Sequence, residues 1–469
     1  MNEFKRPNVL IIYTDQQRLD TIKYYGEKYA ITPNLDNLCK NGVRFNNYFV
    51  QSPVCMPSRM SFLTGRYCSS LNIGDNGVPF PKNRAKLINE YLKPYGYDTS
   101  YIGKIHFLPH ANRDHRKPYE DYGYNTFIIS DEPGCYNDPY VKWVENQDPN
   151  MVPKIRTILP PAARKYNQKN YYNKEGNTHQ PYYFEGDEKY THTNFVTSEV
   201  CRYLNGINEN NLFFLVAGYY APHPPLNPPK KYVDLYNFDD MKLPKVGKYE
   251  KYDFLKNIND EKWKEIRAFY MAMVSMVDEG VGKIVNKLKE KNILEDTIII
   301  FTSDHGEYLG DYGRVQKGMP GHDVISKVPC IISYPKKIKK DMLIKELVEA
   351  VDIVPTILDY CGVQIPDEIE GKSLKPLIEG KIDKHKDTIL IERFVPNGLK
   401  ETTIRTKNYK YYCNSNGEEI LFDLKKDKFE LENVVKKNEY KEILSIMRKK
   451  MIIKMQNAAY KSFEQVAEY

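Results

Sequence analysis

The sequence predicts an α/β protein: a large mixed, mostly parallel sheet flanked by helices, with a smaller C-terminal α+β subdomain. Three observations carry that expectation. Asn8 to Thr14 (NVLIIYT) and Thr297 to Thr302 (TIIIFT) are continuous apolar, β-branched runs, the pattern of strands buried on both faces of a parallel sheet. Asp260 to Glu290 is long and periodic, with Ile266, Phe269, Tyr270, Met273 and Val277 on one face, as a core-packing helix requires. Near residue 380 a Gly-Lys-rich linker gives way to short strands, which sets expected domains of 1–380 and 381–469.

A chain of 469 residues is long enough for a large core with an appended unit. With 41% hydrophobic and 28% charged residues it reads as globular rather than disordered. The net charge of +7 is mild and comes without a block of five like charges, so nucleic acid and membrane surfaces are not expected partners. Met1 to Pro7 is short and charged, and the apolar run after it stops at Asp15, so neither a secretory signal nor a membrane span is predicted. The eight cysteines form no CxxC pair, which fits a reducing compartment, and a cytoplasmic protein is expected.

In chain order, the first strand ends on Asp15, at the carboxyl rim where parallel sheets place their ligand sites. Thr32 to Gly42 reads as a short helix and Phe45 to Val50 as a strand leading into Ser52–Gly65 (SPVCMPSRMSFLTG). Pro57 suits the first turn of a helix, so Cys55 is expected just before a helix whose positive end faces an anion. Asn76-Gly77-Val78-Pro79 reads as a turn, and Leu87 to Tyr95 as a helix closed by Gly96.

Tyr97 to Ile102 is the next strand, and it delivers Gly103-Lys104-Ile105-His106. A lysine supplies a point charge for an anion's oxygens, and a histidine moves a proton near neutral pH. From 110 to 191 no period survives, so long loops that roof the pocket are expected. A helix over 194–205 and a strand over 212–220 follow, the latter ending in Ala221-Pro222-His223. The second buried run ends in Ser303-Asp304-His305, so two buried strands each finish on a carboxylate. On one rim those carboxylates would repel unless a cation sat between them. Lys317 precedes a strand over 327–334, His322-Asp323 has no evident role, and Asp352 is expected to cap a helix over 351–358. Strands over 388–394, 401–406, 410–413 and 420–423, with Asn416-Gly417 as a hairpin turn, and a Lys-rich helix from about Glu439 complete the chain.

The block Cys55-Met56-Pro57-Ser58-Arg59 with Leu63-Thr64-Gly65 resembles the signature of type I sulfatases, formylglycine-dependent members of the alkaline phosphatase-like superfamily. Thr32-Pro33-Asn34-Leu35-Asp36, Gly103-Lys104-x-His106, the His223-x-Pro loop and Lys317 stand in the family's order. The resemblance implies that a maturation enzyme oxidises Cys55 to formylglycine (3-oxoalanine), whose hydrate attacks sulfur and then expels sulfate by re-forming the aldehyde. It implies a divalent metal, calcium by family precedent, at Asp15, Gln16, Cys55, Asp304 and His305. It assigns catalysis to Cys55, Arg59, Lys104, His106, His223 and Lys317, and substrate contact to Asn76, Lys104, His223 and Lys317.

Two departures leave alternatives. Many sulfatases carry two aspartates where this chain has Asp15-Gln16, and Asn where it has His305; the pairs seen here also occur in phosphonate monoester and phosphodiester hydrolases and in choline sulfatase-like enzymes. Gln16 offers a carbonyl oxygen to a hard cation, and His305 a nitrogen that calcium accepts less readily. Lys104 and His106 argue for sulfate, since those hydrolases tend to carry hydroxyl residues there. The expected function is hydrolysis of a small organic or sugar sulfate. The alternatives are a phosphonate or phosphodiester hydrolase, or a non-catalytic sulfate-binding protein if Cys55 stays a thiol. Oligomerisation is left open.

Overall fold

A computed structural model describes residues 5–112, 117–157, 180–208, 211–395 and 397–459. Its main sheet has eight strands: β1 Asn8–Asp15, β2 Val43–Phe49, β3 Asp98–Gly103, β4 Thr126–Ile129, β5 Phe213–Pro222, β6 Thr297–Ser303, β7 Cys330–Ser333 and β8 Met342–Glu349. Their spatial order is β4-β3-β5-β1-β6-β7-β2-β8, and only β7 runs antiparallel to its neighbours. This is the mixed, mostly parallel sheet that the apolar runs predict.

The continuous apolarity of β1 follows from two cores. Leu10 and Ile12 pack with helices Asp260–Glu290 and His192–Gly206, whereas Val9, Ile11 and Tyr13 pack with helices Cys55–Thr64 and Ile353–Tyr360 on the other face. Polar side chains would have no water to meet on either side. The glycine pair Gly103 and Gly218 lets β3 and β5 close together at the rim, because a Cβ on Gly103 would lie 2.0 Å from the Gly218 carbonyl oxygen. Lys104 N–H donates to that same carbonyl at 2.7 Å, which fixes where its side chain starts.

A second, antiparallel sheet contains β9 Ile389–Phe394, β10 Lys400–Arg405, β11 Tyr409–Asn414 and β12 Glu419–Asp423, in the order β12-β11-β10-β9. Helix Lys441–Ala459 packs Leu444, Met447 and Met451 against Leu390, Ile404, Tyr411 and Leu421 of that sheet. Two buried ionic clusters join the sheets. Glu349 accepts from Leu390 N at 2.8 Å, Tyr67 Oη at 2.6 Å, Lys386 Nζ at 2.6 Å and Lys454 Nζ at 3.1 Å. Asp323 receives Lys410 Nζ at 2.7 Å and Arg405 at 3.3 Å, so the His322-Asp323 pair that the sequence leaves without a role anchors the C-terminal sheet.

The structure departs from the sequence-based expectation in three places. The stretch 110–191, expected to be loops, contains β4 and helix Pro139–Gln147, whose N-cap Asp138 accepts from Val141 N at 3.1 Å; 113–116 and 158–179 lie outside the described residues. β8 carries Lys345 and Glu346 on an edge strand, and those charges hide its period. Asp352 does not cap the helix that follows it, but accepts from Glu349 N at 2.9 Å, Lys372 N at 2.8 Å and Lys386 Nζ at 2.6 Å.

Removing Glu349 leaves the part-buried Lys386 and Lys454 with fewer counter-charges, and breaking a buried pair costs about 3–5 kcal/mol. Glu349→Ala is therefore expected to lower the urea midpoint by an amount corresponding to about 3 kcal/mol, read by circular dichroism. An unchanged midpoint would show that the joint is not a buried ionic one.

Candidate active site

The site is set by strand register. β1 and β6 pair in parallel with Thr14 opposite Ser303, so Asp15 and Asp304 emerge side by side from the same rim. Asp304 N donates to Thr14 O at 3.2 Å, and Gln16 N to Asp304 Oδ1 at 2.9 Å. Cys55, expected just before the helix, is the first residue of helix Cys55–Thr64, which therefore starts one residue earlier, with extended Val54 as its N-cap. Asn76, predicted to touch substrate, turns its amide oxygen to Met56 N at 3.0 Å and so steadies that helix N-terminus.

Arg59 lies on the same helix and is fully buried. Its Nε donates to Asp304 Oδ2 at 2.7 Å, its Nη2 lies 3.3 Å from Asp15 Oδ2, and its Nη1 donates to the Lys104 carbonyl at 2.8 Å. Lys104 Nζ stands 2.7 Å from Asp15 Oδ2. Burial alone would raise the Asp15 carboxyl, yet Lys104, Arg59 and Lys317 hold it well below the usual carboxylate range. Lys317 Nζ lies against Cys55 Sγ and 3.3 Å from His305 Nε2.

His305 Nδ1 pairs with the Gly306 carbonyl at 2.8 Å, which points a lone pair on Nε2 toward Cys55 Sγ, 3.2 Å away, and toward Asp15 and Asp304, each at 3.7 Å. One ligand atom from each of Asp15, Cys55, Asp304 and His305 falls within 4.8 Å of the others. Gln16 gives its amide N–H to Glu307, while its Oε1 is buried without a hydrogen-bond partner among the described residues. Two carboxylates, an oriented imidazole and an unsatisfied amide oxygen are a donor set that fits a divalent cation.

The remaining predicted residues border this cluster. His223 Nδ1 bonds the Pro224 carbonyl at 2.7 Å, and burial lowers the ring to about 3, so it is neutral at rest. His106 is held at a positive φ of 58°, with its own N–H and that of Ile105 both donating to Asp131 Oδ1 at 2.8 and 2.9 Å. Burial, then Lys104 and His110, push its imidazole well below the ordinary value. Sequence reasoning missed Asp131, Glu132, His110 and Tyr220. Glu132 Oε1 lies 3.6 Å from Lys104 Nζ, Tyr220 Oη is 2.6 Å from the Pro224 carbonyl oxygen and 3.1 Å from Glu132 Oε2, and the Tyr220 ring lies 4.7 Å from that of His223, tilted by 54°. An Asp-Glu pair just beyond a four-residue strand gives no periodic signal. Beyond Lys317 a cleft of about 950 Å³ opens between the segment 314–320 and the C-terminal sheet, lined by Arg314, Arg393, Glu401 and Tyr412 among others.

As an unmodified thiol, Cys55 is raised to about 11 by burial and by Asp15, against Lys317. Because the thiolate is the reactive form, alkylation of protein made without maturation is expected to be slow at pH 8. It should accelerate about tenfold per pH unit toward pH 11, as followed by mass spectrometry of the peptide that carries Cys55. A rate already at its plateau by pH 8 would mean that the thiol is not shielded in this way.

The Sulfatase family model matches residues 7–363, and that of the N-sulphoglucosamine sulphohydrolase C-terminal region matches 310–457. The arylsulfatase of Clostridium perfringens is 31% identical over 470 residues, covering 95% of this chain and 94% of that protein. The phosphonate monoester hydrolase of Agrobacterium radiobacter superposes with a TM-score of 0.80 at 24% identity, covering 96% of each chain. A solved complex with the substrate D-glucosamine-2-N,6-O-disulfate superposes with a TM-score of 0.74 at 21% identity, covering 97% of this chain and 98% of that one. With its rim of paired aspartates, its cysteine at a helix start and a match over three-quarters of its length, the chain belongs to the sulfatase family of the alkaline phosphatase-like superfamily.

Proposed function

We propose that the chain hydrolyses the sulfate ester of a small organic or sugar compound, with residue 55 matured to formylglycine and a divalent metal, calcium in the first instance, beside it. The observation that carries this reading is the meeting of Cys55 with Asp15, Asp304 and His305 inside 4.8 Å, with Lys317 against its sulfur. Asp15, Gln16, Asp304, His305 and residue 55 would hold the metal. When bound, the metal supplies a Lewis acid and formylglycine a hydroxyl nucleophile with a second hydroxyl for release.

The protein's own groups do the rest. Arg59, tied to both aspartates, keeps their charge in place while Lys104 and Lys317 stand where sulfuryl oxygens gather charge. His223 is neutral at rest, and an anionic ester beside it raises its proton affinity, so it takes up a proton with the substrate and delivers it to the leaving oxygen. His106 stands by for the same task. Asn76 steadies the helix on which residue 55 sits, and the cleft beyond Lys317 is large enough for an organic or sugar group. The arylsulfatase name of the Clostridium relative and the sulfated glucosamine named in the solved complex support such a substrate. We place the reaction in a reducing cytoplasm, which suits the buried Cys39, Cys68, Cys330 and Cys361 thiols.

A phosphonate monoester hydrolase is the second reading, favoured by the Asp15-Gln16 and Asp304-His305 pairs and by the Agrobacterium neighbour. Turnover of nitrophenyl sulfate and of phenyl phosphonate monoesters by matured protein separates the two. Sulfate is expected to be preferred, and a large phosphonate preference would overturn the proposal. In the peptide spanning 52–66, maturation replaces sulfur by oxygen with loss of two hydrogens; a native thiol throughout would leave only sulfate binding.

Lys104→Ala and Lys317→Ala are each expected to lower kcat/KM by about 10²–10³. His223→Ala should harm alkyl or sugar sulfates far more than nitrophenyl sulfate, whose leaving group departs without a proton. Equal losses on both would remove His223 from proton delivery.

A further inference from the structure

We propose that His106, His110 and Glu132 form a second cation site, for zinc or a metal of similar softness, across Lys104 from the Asp15, Asp304 and His305 cluster. One ligand atom from each lies within 4.8 Å of the others. His110 Nε2 and Glu132 Oε1 are already 3.5 Å apart. Zinc bonds of about 2.0–2.1 Å at tetrahedral angles space neighbouring ligands by about 3.4 Å, so this pair needs almost no movement.

The outer partners are those that a zinc site requires. Tyr136 Oη pairs with His110 Nδ1 at 2.7 Å, so that nitrogen is engaged and Nε2, which faces Glu132, is the one left to exchange its proton for a metal. Tyr220 Oη lies 2.6 Å from the Pro224 carbonyl oxygen and 3.1 Å from Glu132 Oε2, one hydroxyl proton between two acceptors, while Glu132 Oε1 is the oxygen that faces His110. Asp131 pins the His106 backbone through two N–H groups, so one chain segment supplies both the pin and, in its next residue, a ligand.

An independent observation points to a ligand. His106 is only 4% exposed, yet neither ring nitrogen has a hydrogen-bond partner among the described residues. A buried imidazole left so loses the hydrogen bonds that water would give, unless something else is bound there. Two imidazoles and one carboxylate select zinc over calcium, the reverse of the carboxylate-rich cluster nearby. Lys104 touches the same Glu132 oxygen at 3.6 Å, so an entering cation shares that oxygen and leaves Lys104 on Asp15, 2.7 Å away. Occupation therefore ties up His106 and weakens the hold on Lys104, which makes the metal an inhibitor. Only this inhibition rests on the sulfatase reading; the binding does not.

Cobalt(II) is the probe, added to calcium-loaded full-length protein. One equivalent with the strong visible bands of tetrahedral cobalt is expected, displaced by zinc. The bands should persist in Asp304→Asn and vanish in His110→Ala and Glu132→Gln, with circular dichroism confirming that each variant is folded. Zinc inhibition of nitrophenyl sulfate turnover should weaken by at least about tenfold in His110→Ala, since even outer partners of a bound metal are worth that much. Absence of tetrahedral bands in the wild type, or unchanged bands in both His110→Ala and Glu132→Gln, would overturn the proposal. Cobalt binding as expected in a protein that turns over no sulfate ester would instead sink the sulfatase reading and leave this site standing.

Discussion

The arrangement depends on one guanidinium. Parallel pairing of β1 and β6 forces Asp15 and Asp304 onto adjacent positions of one fully buried rim, where two carboxylates raise each other's energy. Arg59 meets this with three edges of one plane: Nε on Asp304, Nη2 beside Asp15 and Nη1 on the Lys104 carbonyl. Tyr13 lies under its face at 4.8 Å. The ends of β1, β3 and β6 are thereby tied to the helix that begins at Cys55. A lysine has one point of charge and no such plane, so it could not join three strand ends.

Around that knot the positive charge is distributed with a division of labour. Arg59 is spent on the aspartates, whereas Lys104 and Lys317 project past them, one toward Asp15 and Glu132 and the other toward Cys55 and His305. The resemblance counts Arg59 among the catalytic residues; in the structure it is completely buried, with its guanidinium held by both aspartates and the Lys104 carbonyl. His305 is likewise held by its main chain, so that one nitrogen is committed to Gly306 and the other faces Cys55 and Lys317.

Much of this was legible because the relevant strands are buried on both faces. β1 and β6 read as unbroken apolar runs, and the acid that ends each run stands out against them. Lys104 and His223 were found for the same reason, each following a buried strand. Legibility failed where strands are short or lie at the edge: β4 has four residues, and β8 alternates with charges. Glu132 escaped notice because its place beside Lys104 and His110 comes from β4 pairing with β3, whereas His110, four residues after His106, lies in a stretch without helical or strand period. The buried joints at Glu349 and Asp323 escaped for a similar reason, since their lysine and arginine partners come from the second sheet.

On this account acids from β1 and β6, distant in sequence and adjacent in the sheet, grip one cation together with His305 and residue 55 at the start of a helix. Anomalous diffraction from a crystal of matured protein loaded with a calcium or manganese salt tests it most directly. The account predicts one strong peak bonded to Asp15, Asp304 and residue 55, with Gln16 Oε1 turned toward it. A structure in which that space holds only water while Arg59 still bridges the two carboxylates would contradict it.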